Sequence, residues 1–219
     1  MKKTVFTIAA LMLTFFGFAQ NEKYIKAMEK LVPAVDTTFS AKGLDELGNS
    51  FQRIAEAEKT QWLPYYYAAL CNVTSAYTTN AGNIMGMGDK VDPIANKAEE
   101  LLNKAEALSK DNSEIYCVKK MIASLRLLAD PMNRYMTYGP MAEQALAKAK
   151  QLNPDNPRVY ILQGQDKYYT PAEYGGSKEE GKKLFEEAKK KLETFKPESS
   201  IHPTWGKTQV EYFLSQTAE

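Results

Sequence analysis

Apolar residues return at every third or fourth position from residue 21 to the end of the chain, and no stretch alternates strictly between apolar and polar. Spacings of three and four gather side chains on one face of an α-helix, whereas a half-buried strand needs a period of two. The pattern therefore predicts an all-α chain. Its clearest stripe is Ile94, Ala98, Leu101, Leu102, Ala105 and Leu108. Asp92-Pro93 precedes the stripe as a cap residue and a proline, whose fixed φ suits the first helical turn. Nine helical segments are predicted, over roughly 22–37, 43–59, 62–79, 92–109, 113–129, 139–152, 157–169, 177–195 and 203–217.

Other starts repeat this chemistry. Asp111 with Glu114, and Ser177 with Glu180, have the spacing at which a cap residue and an acid satisfy each other's free amides, and Asn156-Pro157 is a second cap-then-proline start. Glu179 with Lys183, Glu186 with Lys190 and Glu187 with Lys191 lie four apart with the acid first, which marks a solvated helix face. The nine segments group as four pairs and a closing helix. Within three pairs the connection is long: Asn80 to Lys90 with three glycines, Asp130 to Tyr138, and Thr170 to Gly176. All three are predicted as loops on one edge of a stack. Connections between pairs are short, as antiparallel packing requires.

Within the sixth segment and its exit stand Ala142, Leu146, Ala149 and Pro154, and the next segment offers Tyr160 and Gly164. Small residues that let helices approach, a larger one between them and a proline that stops the helix resemble the second helix of a tetratricopeptide repeat. Ala98, Leu102 and Ala105 fit the same pattern, as do Gly181, Phe185 and Ala188, whereas Leu47, Phe51 and Ile54 fit less closely. Trp205 and Tyr212 have the spacing of the family's first-helix aromatics. The large matched positions Phe51, Leu102, Leu146 and Phe185 are 51, 44 and 39 residues apart. A regular repeat would give about 34, and the long inner loops account for the excess. The resemblance implies a right-handed stack of antiparallel helix pairs over residues 21–219, ending in a closing helix.

It also implies a non-catalytic scaffold with a protein or peptide partner, self-association included. Family members receive peptides along the inner helices, which here would place Cys117, Met121, Ser124, Ile161, Gln165 and Tyr168 in the groove. The Lys, Arg and Asn residues that clamp a terminal carboxylate in that family are missing from those positions. An apolar, tyrosine-lined groove suits a hydrophobic peptide, a partner helix or a second copy. A carrier or receptor for a small apolar or glycan ligand is the alternative reading, prompted by the tyrosines and methionines.

The first twenty residues read as a secretory signal peptide: Lys2 and Lys3, an apolar run from Val5 to Phe18, then Gly17 and Ala19 at the small-residue positions before a cut near Ala19-Gln20. No cysteine stands at the cut, so lipoprotein attachment is not expected. A periplasmic or secreted location follows, and no later apolar run is long enough to span a membrane. Lys and Arg number 28 against 27 acids, and removing Lys2 and Lys3 leaves 26. Such a balance lacks the basic stripe needed to neutralise phosphates, so nucleic acid is not an expected partner.

Catalytic chemistry is sparse, and neither a catalytic residue, a metal site nor a cofactor is predicted. His202 is the one histidine; it stands before Pro203 and reads as a cap or loop residue. Cys71 and Cys117 match no metal or redox spacing and read as buried, reduced thiols. No serine-hydrolase elbow or phosphate loop is present. Asp89 and Asp92 beside the glycines lack the remaining ligands of a calcium loop. Met85, Met87, Met132, Tyr135, Met136, Tyr138 and Met141 concentrate in the inner loops and their flanks. They are expected either to plug the ends of the helix pairs or to accept apolar partners. Of Tyr65, Tyr66 and Tyr67, adjacent helical residues that face different ways, at least one is expected to be exposed.

Overall fold

The computed structural model describes residues 22–216, the side chains of residues 80 and 81 excepted. Among these residues there are nine α-helices and no strand. They are α1 (22–31), α2 (Ala41–Glu58), α3 (Trp62–Thr78), α4 (Gly88–Leu108), α5 (Ser113–Ala129), α6 (Pro131–Leu152), α7 (Pro157–Tyr169), α8 (Lys178–Thr194) and α9 (Lys207–Gln216). Successive helices pack as an antiparallel stack, with α3, α5 and α7 touching in turn along its inner side. None is long and apolar enough to cross a membrane. Residues 1–20, read from the sequence as a signal peptide, lie outside the described part.

Several starts form as their chemistry dictates. Ser177 Oγ accepts from the Glu180 amide at 3.1 Å, and Asn156 Oδ1 accepts from the Arg158 amide at 2.9 Å. The Asp111–Glu114 cap does not form. Asp111 takes a left-handed conformation at φ 51°, and Asn112 caps α5 instead, accepting from the Glu114 amide at 2.9 Å. Nor does Asp92 open a helix, because α4 begins at Gly88. Asp92 instead holds Arg134 with two bonds of 2.7 Å, joining α4 to α6.

The largest departure is residues 130–138, which are helix rather than loop. Asp130 caps α6, and the helix runs on through Gly139-Pro140. A residue before proline is usually forced out of the helical region by its own Cβ, and glycine has none. The methionines and tyrosines there therefore form a helix face that plugs nothing: Met132 is 93% and Met136 83% exposed.

At α3 the stack closes on every side. Thirteen of its seventeen residues are buried, so it has no solvent face, and Tyr65, Tyr66 and Tyr67 are all buried. Helices α2, α4 and α5 pack around it, and the C-terminal segment adds to them at Tyr66 and Tyr67, accepting a hydrogen bond from the Tyr67 hydroxyl at the Ile201 carbonyl, 3.0 Å away. Phe51 stacks on Tyr67 at 4.8 Å. Each such buried ring contributes roughly 1.5–3 kcal/mol. Cys71 and Cys117 are free and buried, and burial pushes the Cys71 thiol up to about 12.

Glycine sets the tightest approach. A Cβ on Gly164 would stand 2.6 Å from the Phe185 ring, and one on Gly181 would stand 3.1 Å from the Gly164 carbonyl, so α7 and α8 touch backbone to backbone. At the far end Asp36 reaches the start of α9. Its carboxylate accepts from the amides of Gly206 (2.7 Å) and Thr208 (3.2 Å) and from the Thr208 hydroxyl (3.0 Å). The free amides of a helix start are thus satisfied from the opposite end of the chain.

Candidate functional site

Of the six residues assigned to the inner groove, Cys117, Met121 and Ile161 are buried and Ser124, Gln165 and Tyr168 are half-buried. Cys117 and Ile161 are wholly buried and Met121 is 7% exposed, its carbonyl accepting from the Tyr77 hydroxyl at 2.8 Å. Ser124, beside it, is half-buried. Over α7 lies α9: Gln165 donates to Gln209 at 3.3 Å, and Tyr168 meets the Phe213 ring edge-on at 5.4 Å. The closing helix thus lies over the α7 part of the face that the repeat resemblance gives to a peptide.

A different opening lies at the edge where α3, α5 and α7 begin. Short connections bring those starts together, and residues 195–203 pass across them. Between them is a cleft of about 430 Å³. Trp62, Phe195, Pro197 and Pro203 give it flat apolar walls; Asn112, Ser113, Glu114 and Asn156 come from the helix starts; Lys110 and Lys196 stand at the rim. The partial positive charge of these helix starts is met by the caps Asn112 and Asn156, and Asp111, Glu114 and Glu198 line the cleft beside the two lysines. A second cleft between α4, α5 and α6 holds about 190 Å³ beside Tyr138 and Met141. A depression on α8 is bounded chiefly by lysines and glutamates.

His202 stands in the wall of the larger cleft. Its Nδ1 is 2.7 Å from Ser199 Oγ and its Nε2 is 3.2 Å from Glu198 Oε2. The ring meets Trp62 edge-on at 5.9 Å. Two contacts and a packed face thus fix the imidazole.

Behind this wall lies a buried polar chain. Trp205 Nε1 donates to the Tyr66 hydroxyl at 2.8 Å, and Tyr66 donates to Glu114 at 3.0 Å. Arg158 is fully buried between the rings of Phe195 (4.6 Å) and Trp205 (5.6 Å), and its Nη2 donates to the Pro203 carbonyl at 2.7 Å. Its Nη1 is 3.7 Å from Glu114 and makes no hydrogen bond. Burial raises the Glu114 carboxyl above its ordinary range, against the pull of Arg158 and of hydrogen bonds from Tyr66 and Asn156. Desolvation prevails because the ion pair is loose. The chain holds residues 201–206 against α3, α5 and α7, which gives the cleft its fourth side.

Among the described residues no group of three or more His, Cys, Asp or Glu side chains is placed to hold a bare metal ion. The pattern reading of the sequence passed over Arg158, whose position was the available signal. A cation in the first turn of a helix opposes the helix dipole and needs another reason to be there. Glu114 carried no such signal, because an acid at a helix start is ordinary.

No protein-family model matches the chain, and no curated protein matches it. Among solved structures, the HusA haemophore from Porphyromonas gingivalis aligns with a TM-score of 0.75 and 34% sequence identity, covering 89% of this chain and 92% of that one. The chain belongs to the HusA family.

Proposed function

We propose that this protein is an exported, non-catalytic carrier that takes haem, or a porphyrin of the same chemistry, in the cleft at the starts of α3, α5 and α7. The observation that carries this reading is the cleft's composition in a relative of a haemophore. A porphyrin is a flat apolar ring bearing carboxylates, and the cleft offers Trp62, Phe195 and two prolines for the ring and Lys110 and Lys196 for the carboxylates, with Asp111, Glu114 and Glu198 also in its lining. Its volume of about 430 Å³ lies in the range of small-molecule sites. A porphyrin would enter edge-first, with its carboxylates toward Lys110 and Lys196. Residues 1–20 act as the export signal, cut near Ala19-Gln20 without lipid attachment, in keeping with a periplasmic or secreted carrier. The helix pairs are read as degenerate tetratricopeptide repeats, supported by burial of Ala142, Leu146 and Ala149 and by the Gly164–Gly181 approach.

Hemin titrated into the purified protein tests the reading. A saturable shift of the Soret band with one porphyrin per chain is expected, together with quenching of tryptophan emission. Trp62→Ala should weaken binding by about 10-fold or more, as for a buried aromatic anchor. Absence of any saturable change would sink the proposal. A protein partner is a second reading, favoured by the exposed Met132, Tyr135 and Met136 face of α6. Capture of a specific envelope protein, lost on replacing Met132 and Met136 by Ser, would support it.

A further inference from the structure

Resting on the carrier reading above, we infer that residues 22–36 are a latch on the cleft, with Asp36 as its positioning residue. This segment grips the strap of chain, residues 198–208, whose His202 and Pro203 stand in the cleft wall. Docking of α1 and retention of the ligand therefore reinforce each other.

The segment is built to dock. Tyr24, Met28 and Val32 fall four apart, and all three are buried in the main core. Two of its acids then reach the strap on either side of the wall. Ser200 Oγ donates to Glu29 Oε1 at 2.7 Å, two residues before His202. Asp36 takes the Gly206 and Thr208 amides and the Thr208 hydroxyl, beginning three residues after Pro203. The first contact is exposed and contributes little; the second is part-buried and carries the coupling.

The turn at Gly206 has little slack with which to absorb a lost bond. Its φ is 113°, and a Cβ there would stand 2.4 Å from Ile161 Cδ1. Without Asp36 the amides at the start of α9 are unmet, and the turn must move to find other partners. Any such shift passes along the chain to Pro203. Tyr67 and Arg158 hold the Ile201 and Pro203 carbonyls from the α3 and α7 side, whereas Glu29 and Asp36 hold the strap toward its two ends. Displacing α1 thus loosens the ligand without entering the cleft, which gives a carrier a handle for release.

The test follows metal-free protoporphyrin IX as it leaves the protein for an excess of apomyoglobin. Asp36→Ala should speed dissociation by about 5-fold or more, the lower end of ordinary coupling between sites. Val91→Ala truncates a buried side chain of α4, which does not line the cleft, and should leave the rate within about 2-fold despite its cost in stability. In the wild type, bound porphyrin should slow amide exchange over residues 22–36 as well as over the strap. If the two variants release porphyrin equally fast, or binding leaves exchange over residues 22–36 unchanged, the inference is wrong and the carrier reading survives. If the wild type binds no porphyrin, both fall. Should Asp36→Ala unfold, Asp36→Asn keeps an acceptor oxygen and takes its place in the same comparison.

Discussion

Trp205 and Tyr66, 139 residues apart, are joined by an indole-to-hydroxyl hydrogen bond of 2.8 Å that is wholly buried. Tyr66 passes the contact on to Glu114, so the C-terminal segment is held by direction as well as by packing. Trp205→Phe keeps most of the ring and removes the donor, with an expected cost of about 1–2 kcal/mol. Trp205→Ala also opens a cavity, and should cost about 3–5 kcal/mol in urea unfolding. Equal losses in the two variants would mean that packing contributes little here.

Arg158 has no water to fall back on. Arg158→Met should destabilise the fold by about 3–5 kcal/mol, because Glu114 would then be buried without its cation. Adding Glu114→Gln should recover part of that loss, and a double-mutant cycle in urea measures the coupling. Strict additivity would show that the 3.7 Å pair is not energetically linked.

Two carboxyls titrate in opposite senses. Glu114 is raised above its ordinary 4.5 by burial, so between 4.5 and its folded value the native state keeps a proton that the unfolded chain has released. Its contribution to stability therefore falls as pH rises through that window. Asp92 is held below its ordinary 3.8, first by the hydrogen bonds from Arg134, so its contribution is present above 3.8 and fades as pH falls toward the depressed value. Stability measured against pH should lose the falling component in Glu114→Gln and the acid-side component in Asp92→Asn. Curves parallel to wild type would refute the assignments.

Gly164→Ala should cost about 1–3 kcal/mol, since the new methyl meets the Phe185 ring and α7 cannot retreat from α8 without opening the core. Phe185→Leu in the same chain should return part of the loss. Thermal unfolding of the single and double variants decides it.

The helices were readable where an apolar stripe met a cap, as from Ile94 to Leu108 or at Ser177. The first half of α6 was not, because Met132, Tyr135 and Met136 are apolar yet exposed, and Gly139-Pro140 imitates a helix start. Likewise Tyr66 and Tyr67 of α3 are held by a segment more than a hundred residues later, which no local periodicity encodes. The cleft was hidden for the same reason. Trp62, Glu114, Arg158 and His202 come from four separate stretches of chain, and only the edge-to-edge alignment of helix starts brings them together. The repeat resemblance captured the close approach of Gly164 and Gly181. It could not show that α9 would lie over Gln165 and Tyr168.

The grip of Asp36 on Gly206 and Thr208 alters what kind of object the stack is. An open array of repeats is a ladder whose outer rungs can peel away one at a time, each exposing the next. Here the first rung is clasped to the last. Neither end can lift without undoing the other, so the molecule behaves as a hoop, and the rim on which the cleft sits is no longer a loose end.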